Sequence, residues 1–169
     1  MKGFGALLIL AAAGLIGLRL LGENRRRLEA YFSLSAALRL LRGELASRSA
    51  PLADGIDRAK TAAKGIGKEL MSLVSVGLSA LGERTFCEIW DQSLEACCSS
   101  RSIETPEELK SLGTVLGGFD LETQLQAMDS CIARLDELRE NGKRNYPAQR
   151  RLLLSLTLAG GFFLVILLY

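Results

Sequence analysis

The sequence predicts an all-α protein: an antiparallel helical bundle of about six helices, with the first and last helices extending into transmembrane spans. Three observations predict it. Through the middle of the chain apolar residues recur every three or four positions, and no stretch alternates as a half-buried strand does. Helix start and stop residues punctuate that pattern. Both ends are apolar runs of roughly the 20 residues that a spanning helix needs. The chain divides accordingly into an N-terminal transmembrane helix (1–22), a cytoplasmic helical domain (23–151) and a C-terminal transmembrane helix (152–169).

The first apolar run is Gly3 to Leu18, GFGALLILAAAGLIGL, interrupted at Arg19 and resumed by Leu20 and Leu21. A long cation near the end of a span can snorkel to the interface. Lys2 and the alanines at 11–13 also resemble parts of a signal peptide. The apolar run continues past those alanines, however, and then meets Arg25-Arg26-Arg27, a stop-transfer pattern, so an uncleaved anchor is expected. The last 18 residues, Leu152 to Tyr169, carry no charged side chain. As a helix they span about 27 Å, close to the hydrocarbon thickness of a bilayer. Cationic residues flank both runs on their inner sides: Arg19, Arg25, Arg26, Arg27, Arg39 and Arg42 after the first, and Arg134, Arg139, Lys143, Arg144, Arg150 and Arg151 before the second. The positive-inside rule places both inner flanks in the cytoplasm and both termini outside. Cations so placed also meet anionic lipid headgroups.

Between the runs the elements follow in order. Leu28, Tyr31, Phe32, Ser35, Leu38, Leu41 and Leu45 repeat at helical spacing, and no proline or cap separates them from the first run, so one helix is expected through Leu45. Ser49-Ala50-Pro51 marks a new start, with Ser49 or Ala50 at the cap and Pro51 in the first turn, and a helix to about Lys64. Gly65-Ile66-Gly67 is a turn. Leu70, Leu73, Val74, Gly77, Leu78 and Leu81 form the next stripe, stopped at Gly82. Thr85 and Glu88 make a capping box for a helix whose apolar face is Phe86, Ile89, Trp90, Leu94 and Cys97. The Ser-rich stretch Cys98 to Ser102 is the most flexible link. Thr105-Pro106-Glu107-Glu108 reads as cap, proline at the first helical position and acidic first turn, with Leu109, Leu112, Gly113 and Leu116 buried. Gly117-Gly118 ends that helix, with a positive φ expected at one of the two. Asp120 caps the last helix, whose seam is Leu121, Leu125, Met128, Ile132 and Leu135. Pro147 is expected to kink or break it.

Of the 169 residues 49% are hydrophobic, and mean hydropathy is +0.21. The net charge of +2 is too small to suggest nucleic-acid binding. With no histidine in the chain, histidine-based zinc sites, general bases and triads are all excluded. The four cysteines, Cys87, Cys97, Cys98 and Cys131, read as free thiols of a reducing compartment. Cys97 and Cys98 are adjacent and make a poor metal clamp, because helix neighbours face different ways. Glu107-Glu108, Asp136-Glu137 and Glu140 lie in a first turn or on a charged face, where carboxylates are commonplace. The stretch from Gly113 to Gly118 lacks the Lys-Ser/Thr pair and the preceding strand of a phosphate loop. Trp90 reads as a core anchor, with a partner hot spot as the alternative. The sequence therefore offers no catalytic residue, no cofactor-binding residue and no metal ligand, and the expectation is a non-enzyme.

Glu44-Leu45, Ala50-Pro51-Leu52, Trp90, Leu94, Glu107-Glu108-Leu109, Leu112-Gly113, Leu116-Gly117, Asp120, Gln124 and Tyr146 follow one another in an order and spacing that resemble the stage III sporulation protein AB family. The resemblance covers the whole chain. It departs at Ala50-Pro51, where the family usually has Thr-Pro, and at Cys97 to Arg101, where the family tends to be more charged. The family-motif positions it marks are Pro51, Leu52, Trp90, Leu112, Gly113, Gly117, Asp120 and Gln124.

The resemblance implies a non-enzymatic membrane component of the channel complex joining mother cell and forespore, similar in kind to the F platform protein of type II secretion. It implies docking of the secretion-type ATPase of the same complex (stage III sporulation protein AA-like). It also implies contacts with other membrane components of the channel and with lipids, but none with nucleic acid or a small-molecule substrate. The implied location is the mother-cell membrane around the forespore. The runner-up is a membrane-anchored adaptor without a channel role. A small transporter fits less well, because the runs offer only Ser155, Thr157 and Arg19 as polar groups.

Overall fold

The computed structural model describes the backbone of residues 2–48, 51–99 and 103–168. It describes the side chains of residues 22–47, 51–99 and 103–144, together with Ser155 and Ala159. Among the described residues six α-helices follow in order: α1 (Lys2–Arg48), α2 (Leu52–Ala62), α3 (Gly65–Gly77), α4 (Phe86–Cys98), α5 (Glu107–Gly118) and α6 (Leu121–Leu168), with a 3-10 turn at Leu78–Ala80. The described residues form no strand, only one isolated bridge between Leu81 and Arg84. The protein is all-α, as its periodicity requires.

The chain forms two compact units, Glu29–Arg139 and Met1–Leu28 with Glu140–Tyr169. In the second of these, Gly142 sits directly against the Leu28 side chain. Among the described residues no helix is long and apolar enough to cross a membrane. The runs at 3–18 and 152–169 lie, apart from Ser155 and Ala159, outside the residues whose side chains are described. The helix α6 continues through position 147 without a break. One proline removes a single backbone hydrogen bond, which a long helix can absorb.

The unit Glu29–Arg139 is a bundle with one continuous core, in which sequential helices pair as antiparallel hairpins. Asp57 of α2 meets Ser75 of α3. Trp90 of α4 meets Leu109 of α5. Leu116 of α5 meets Gln124 of α6. The two long helices run antiparallel as well: Arg42 pairs with Asp129 at 2.5 Å, and Arg39 pairs with Asp136. These two arginines, grouped by sequence with the lipid-facing cations, instead tie α1 to α6. All four side chains are substantially exposed, so each pair adds at most about 1 kcal/mol.

Several local expectations need correction. Pro51 is the N-cap residue of α2, one position before the first turn, and its carbonyl accepts the Gly55 N–H at 3.1 Å. Ser49 and Ala50 lie outside the described residues. The helix ends at Ala62, not Lys64. Pro106 likewise occupies the cap of α5, and no side chain caps there. Of the link expected at Cys98 to Ser102, positions 100–102 lie outside the described residues, whereas Cys98 is the buried last residue of α4. Of the predicted stripe of α1, Tyr31, Ser35, Leu38, Leu41 and Leu45 are buried, joined by Leu34, while Leu28 is half-buried. Phe32 is about half exposed, with the Arg139 guanidinium 4.2 Å above its ring. Gly117 and Gly118 both keep φ out of the positive region, and α5 ends on an extended Phe119. Positive φ falls instead at Gly65 and at Gly82, the latter where a helix stop was expected. A helix followed at once by a cap for the next needs no left-handed residue between them.

Two contacts set how closely the helices approach. A Cβ on Gly113 would lie 2.7–2.8 Å from Cδ1, Cβ and Cγ of Trp90, so only glycine lets α4 and α5 meet there. A Cβ on Gly67 would strike the backbone carbonyl of Ser33 and come within 2.7 Å of the Ala37 Cβ. That close approach delivers a cap from outside α3. The Ser33 hydroxyl accepts the Gly67 N–H at 2.9 Å and donates to the Lys64 carbonyl at 2.5 Å. Gly67 is the third residue of α3, so Ser33 does from α1 what an N-cap side chain does locally.

Candidate docking surface

The family-motif positions do not converge on one site. Each makes a joint. Pro51 starts α2, and the half-buried Leu52 packs against the core. Trp90 is fully buried, stacks on Phe86 at a ring separation of 6.2 Å and donates from Nε1 to the Leu109 carbonyl at 2.8 Å. Leu112 is buried in the core, and Gly113 accommodates the Trp90 ring. Gly117 faces Phe86, whose Cβ lies 3.0 Å from where a Gly117 Cβ would be. Asp120 caps α6 through the Thr123 N–H at 3.2 Å and the Thr123 hydroxyl at 2.8 Å. These bonds, the hydroxyl first, hold the Asp120 carboxyl below its ordinary range. The Gln124 amide donates to the carbonyls of Leu116 and Phe119 at 3.1 and 2.9 Å, satisfying acceptors at the end of α5. Gln124 thus fastens α5 to α6 across a two-residue link, while Asp120 caps the start of α6.

The Thr85–Glu88 capping box forms as the sequence predicts, with both reciprocal hydrogen bonds present. Nothing in the residue pattern signals the Ser33 cap, nor the network in which the Ser75 hydroxyl and Lys60 ammonium both donate to Asp57, at 2.6 and 2.9 Å. That network holds the Asp57 carboxyl below its ordinary range, with the Ser75 hydrogen bond as the largest cause.

A cavity of about 600 Å³ lies between α4 and α5, with Cys87, Asp91, Glu95, Lys110 and Thr114 among its lining residues. The Cys87 Sγ and Thr114 Oγ1 are 3.3 Å apart at its wall, and Lys110 pairs with Glu107 at 3.3 Å. Among the described residues no group of three or more cysteines and carboxylates is placed to hold a metal ion. None of the four cysteines is in a disulfide. Cys97, Cys98 and Cys131 are buried, and burial, with the Glu108 carboxylate as the lesser cause, pushes the Cys131 thiol up to about 12.

The loops between Gly65 and Asp120 divide between the two ends of the bundle because successive helices alternate direction. Gly65-Ile66-Gly67, expected as a turn, is instead the start of α3, where Lys64 takes the cap and Gly65 packs on Ser33; Tyr31 donates to the Glu104 carbonyl before α5 at 3.2 Å. The Leu81–Arg84 link and the Phe119–Asp120 link lie at the other end. There Gly77 of α3 touches Ile89, and Gly117 of α5 touches Phe86, so the ends of α3 and α5 flank the first turns of α4. Large apolar side chains stand exposed there: Val76 at 72%, Leu81 at 51%, Phe119 at 54% and Leu121 at 39%. Leu73, Leu81 and Leu121 belonged to predicted stripes; Leu73 is 37% exposed on the outer side of α3, and Leu81 and Leu121 sit at the extreme ends of their stripes, beyond the reach of the helices that cover the rest.

The family model for stage III sporulation protein AB matches residues 2–169. The chain belongs to that family. No curated protein and no solved structure gives a significant match. The family points to a role in stage III of sporulation. In this family member Trp90–Gly113 joins α4 to α5 and Gln124–Leu116 joins α5 to α6.

Proposed function

We propose that this stage III sporulation protein AB family member is a non-enzymatic, membrane-anchored docking platform in the channel complex between mother cell and forespore. Its terminal helices cross the mother-cell membrane and its bundle stands in the mother-cell cytoplasm. There it docks a secretion-type ATPase and links that ATPase to membrane partners of the channel. The observation that carries this reading is the pairing of a helical bundle with two apolar, basic-flanked runs on the outer parts of α1 and α6. The polar residues that the sequence singled out serve as joints between helices, which suits a scaffold.

Two measurements test it. Alkaline carbonate extraction of membranes from sporulating cells should leave the protein in the pellet, and release into the supernatant would refute the anchor. The orientation needs an exposed reporter, because Cys97 and Cys98 are buried. Gln126, exposed on α6, serves when changed to cysteine in a Cys87→Ser background. A membrane-impermeant maleimide should label it only after lysis, and labelling of intact cells would reverse the topology. Binding of the full chain in nanodiscs to the purified ATPase then separates a docking platform from a simple anchor.

A further inference from the structure

The end of the bundle where α3, α4 and α5 meet exposes large apolar side chains on both sides of the first turn of α4, with carboxylates among them. Val76 and Leu81 stand on one side of the first turn of α4, and Phe119 and Leu121 on the other. Four large apolar side chains left in water at one end of a small unit are what an interaction site shows and a sealed bundle end does not. The exposed charges within the segments that carry them are mostly acidic, and the Lys60 ammonium of α2, which reaches the Ser75 hydroxyl beside Val76 at 2.9 Å, is paired with Asp57. Glu83, Glu88, Asp91, Asp120 and Glu122 are all exposed. In the segments 76–92 and 117–123 the one cation is Arg84, which donates to Gln92 at 2.8 Å. This contrasts with a chain that is positive as a whole. Asp120 keeps its charge while capping α6.

The same end lies away from Glu29 and Arg139, where the chain enters and leaves the unit. Along α6, from Leu121 to Arg139, the separation is about 27 Å. An anionic lipid surface would repel these carboxylates, so the charge selects a protein partner over a membrane. We infer that this end is a docking surface for a protein presenting apolar side chains among lysines and arginines, with Val76, Leu81, Phe119 and Leu121 as the contact and the carboxylates among them steering approach. The inference rests on the docking reading above and adds the surface and the chemistry of what it accepts. Charges of this kind act mainly on association rate and specificity, and the apolar groups on residence time.

The test uses the full chain in nanodiscs and the purified secretion-type ATPase as probe. Val76→Asp with Phe119→Asp, and separately Glu83→Lys with Glu122→Lys, alter exposed positions, so helicity and melting temperature should hold. Each pair should weaken binding about tenfold or more, typical of losing a central interface contact. Raising salt from low to about 0.5 M should weaken the wild type and leave the lysine variant little affected. Equal affinity for wild type and both variants overturns the surface while the ATPase reading stands. If the wild type does not bind the ATPase, a photocrosslinker at Val76 and at Phe119 in sporulating cells decides. Capture of a basic, apolar segment of a protein, lost in the Glu83→Lys/Glu122→Lys background, keeps the surface and drops the ATPase. No adduct at either position overturns the surface.

Discussion

Replacing Gly113 by alanine tests the closest helix contact in the bundle. In an exposed helix this change is stabilising by roughly 1 kcal/mol, because alanine has the higher helix propensity. Here the new Cβ would lie 2.7–2.8 Å from three atoms of Trp90, one of them the Trp90 Cβ itself. The obstruction is therefore the root of the side chain, and rotating the indole away cannot clear it. Either α4 and α5 move apart or Trp90 shifts from its fully buried position and strains the Nε1 bond to Leu109. Overpacking costs about 1–3 kcal/mol, and weakening a buried hydrogen bond adds about 1 kcal/mol. Set against the propensity gain, Gly113→Ala should destabilise by about 1–3 kcal/mol. At about 2–4 °C per kcal/mol for a chain of this size, the melting temperature should fall by roughly 3–10 °C. Trp90 is the lone tryptophan, so thermal unfolding followed by intrinsic fluorescence reads the contact directly, and the native emission should shift to the red. Gly118→Ala is the control: Gly118 is exposed, a Cβ added there would meet nothing within 4 Å, and its φ is not positive. It should be neutral or stabilising by up to about 1 kcal/mol. A Gly113→Ala protein as stable as Gly118→Ala would refute this reasoning.

Three further outcomes follow from the same structure. Ser33→Ala removes the cap that α1 supplies to α3 and should cost about 1–2 kcal/mol in thermal unfolding, whereas Ser72→Ala, whose hydroxyl bonds only to Lys68 of its own helix, should stay within about 0.5 kcal/mol; equal melting temperatures would dismiss the remote cap. In native protein an aromatic disulfide reagent should titrate Cys87 and leave Cys97, Cys98 and Cys131 until denaturant is added; because the Cys131 thiol is raised to about 12 in the fold, stability present below its ordinary value of 9.0 should be lost as pH climbs from there towards 12, and a Cys131→Ala protein with the same alkaline slope would contradict this. Asp57 is depressed, so its contribution is present above its ordinary value of 3.8 and is lost as pH falls through the lower folded value; Ser75→Ala removes the largest cause and should flatten the acid limb of stability, an unchanged limb being the refuting result.

The helical class, the core face of α4, α5 and the middle of α6, and two caps were all legible in the residue pattern. These are local matters. A 3.6-residue period buries Phe86, Ile89, Trp90 and Leu94 together whatever lies opposite, and a Thr85–Glu88 box or an Asp120 cap bonds only to its own first turn. The family, too, was legible in the order of Trp90, Gly113, Gly117, Asp120 and Gln124. Other features depend on residues distant in the chain and emerge only once the helices are packed. Gly113 reads as a generic packing glycine until Trp90 is placed against it, 23 positions earlier in the numbering. Ser33 and Gly67 are 34 residues apart, and no spacing rule pairs them. Arg39 and Arg42 look like lipid-facing cations until α6 brings Asp136 and Asp129 alongside. Periodicity also overstated burial at the ends of stripes: it registers that Leu81 and Leu121 continue a pattern, but whether a neighbouring helix extends far enough to cover them is set by where α3, α4, α5 and α6 stop relative to one another. That is why the exposed apolar end, the surface on which the docking inference rests, became visible only in three dimensions.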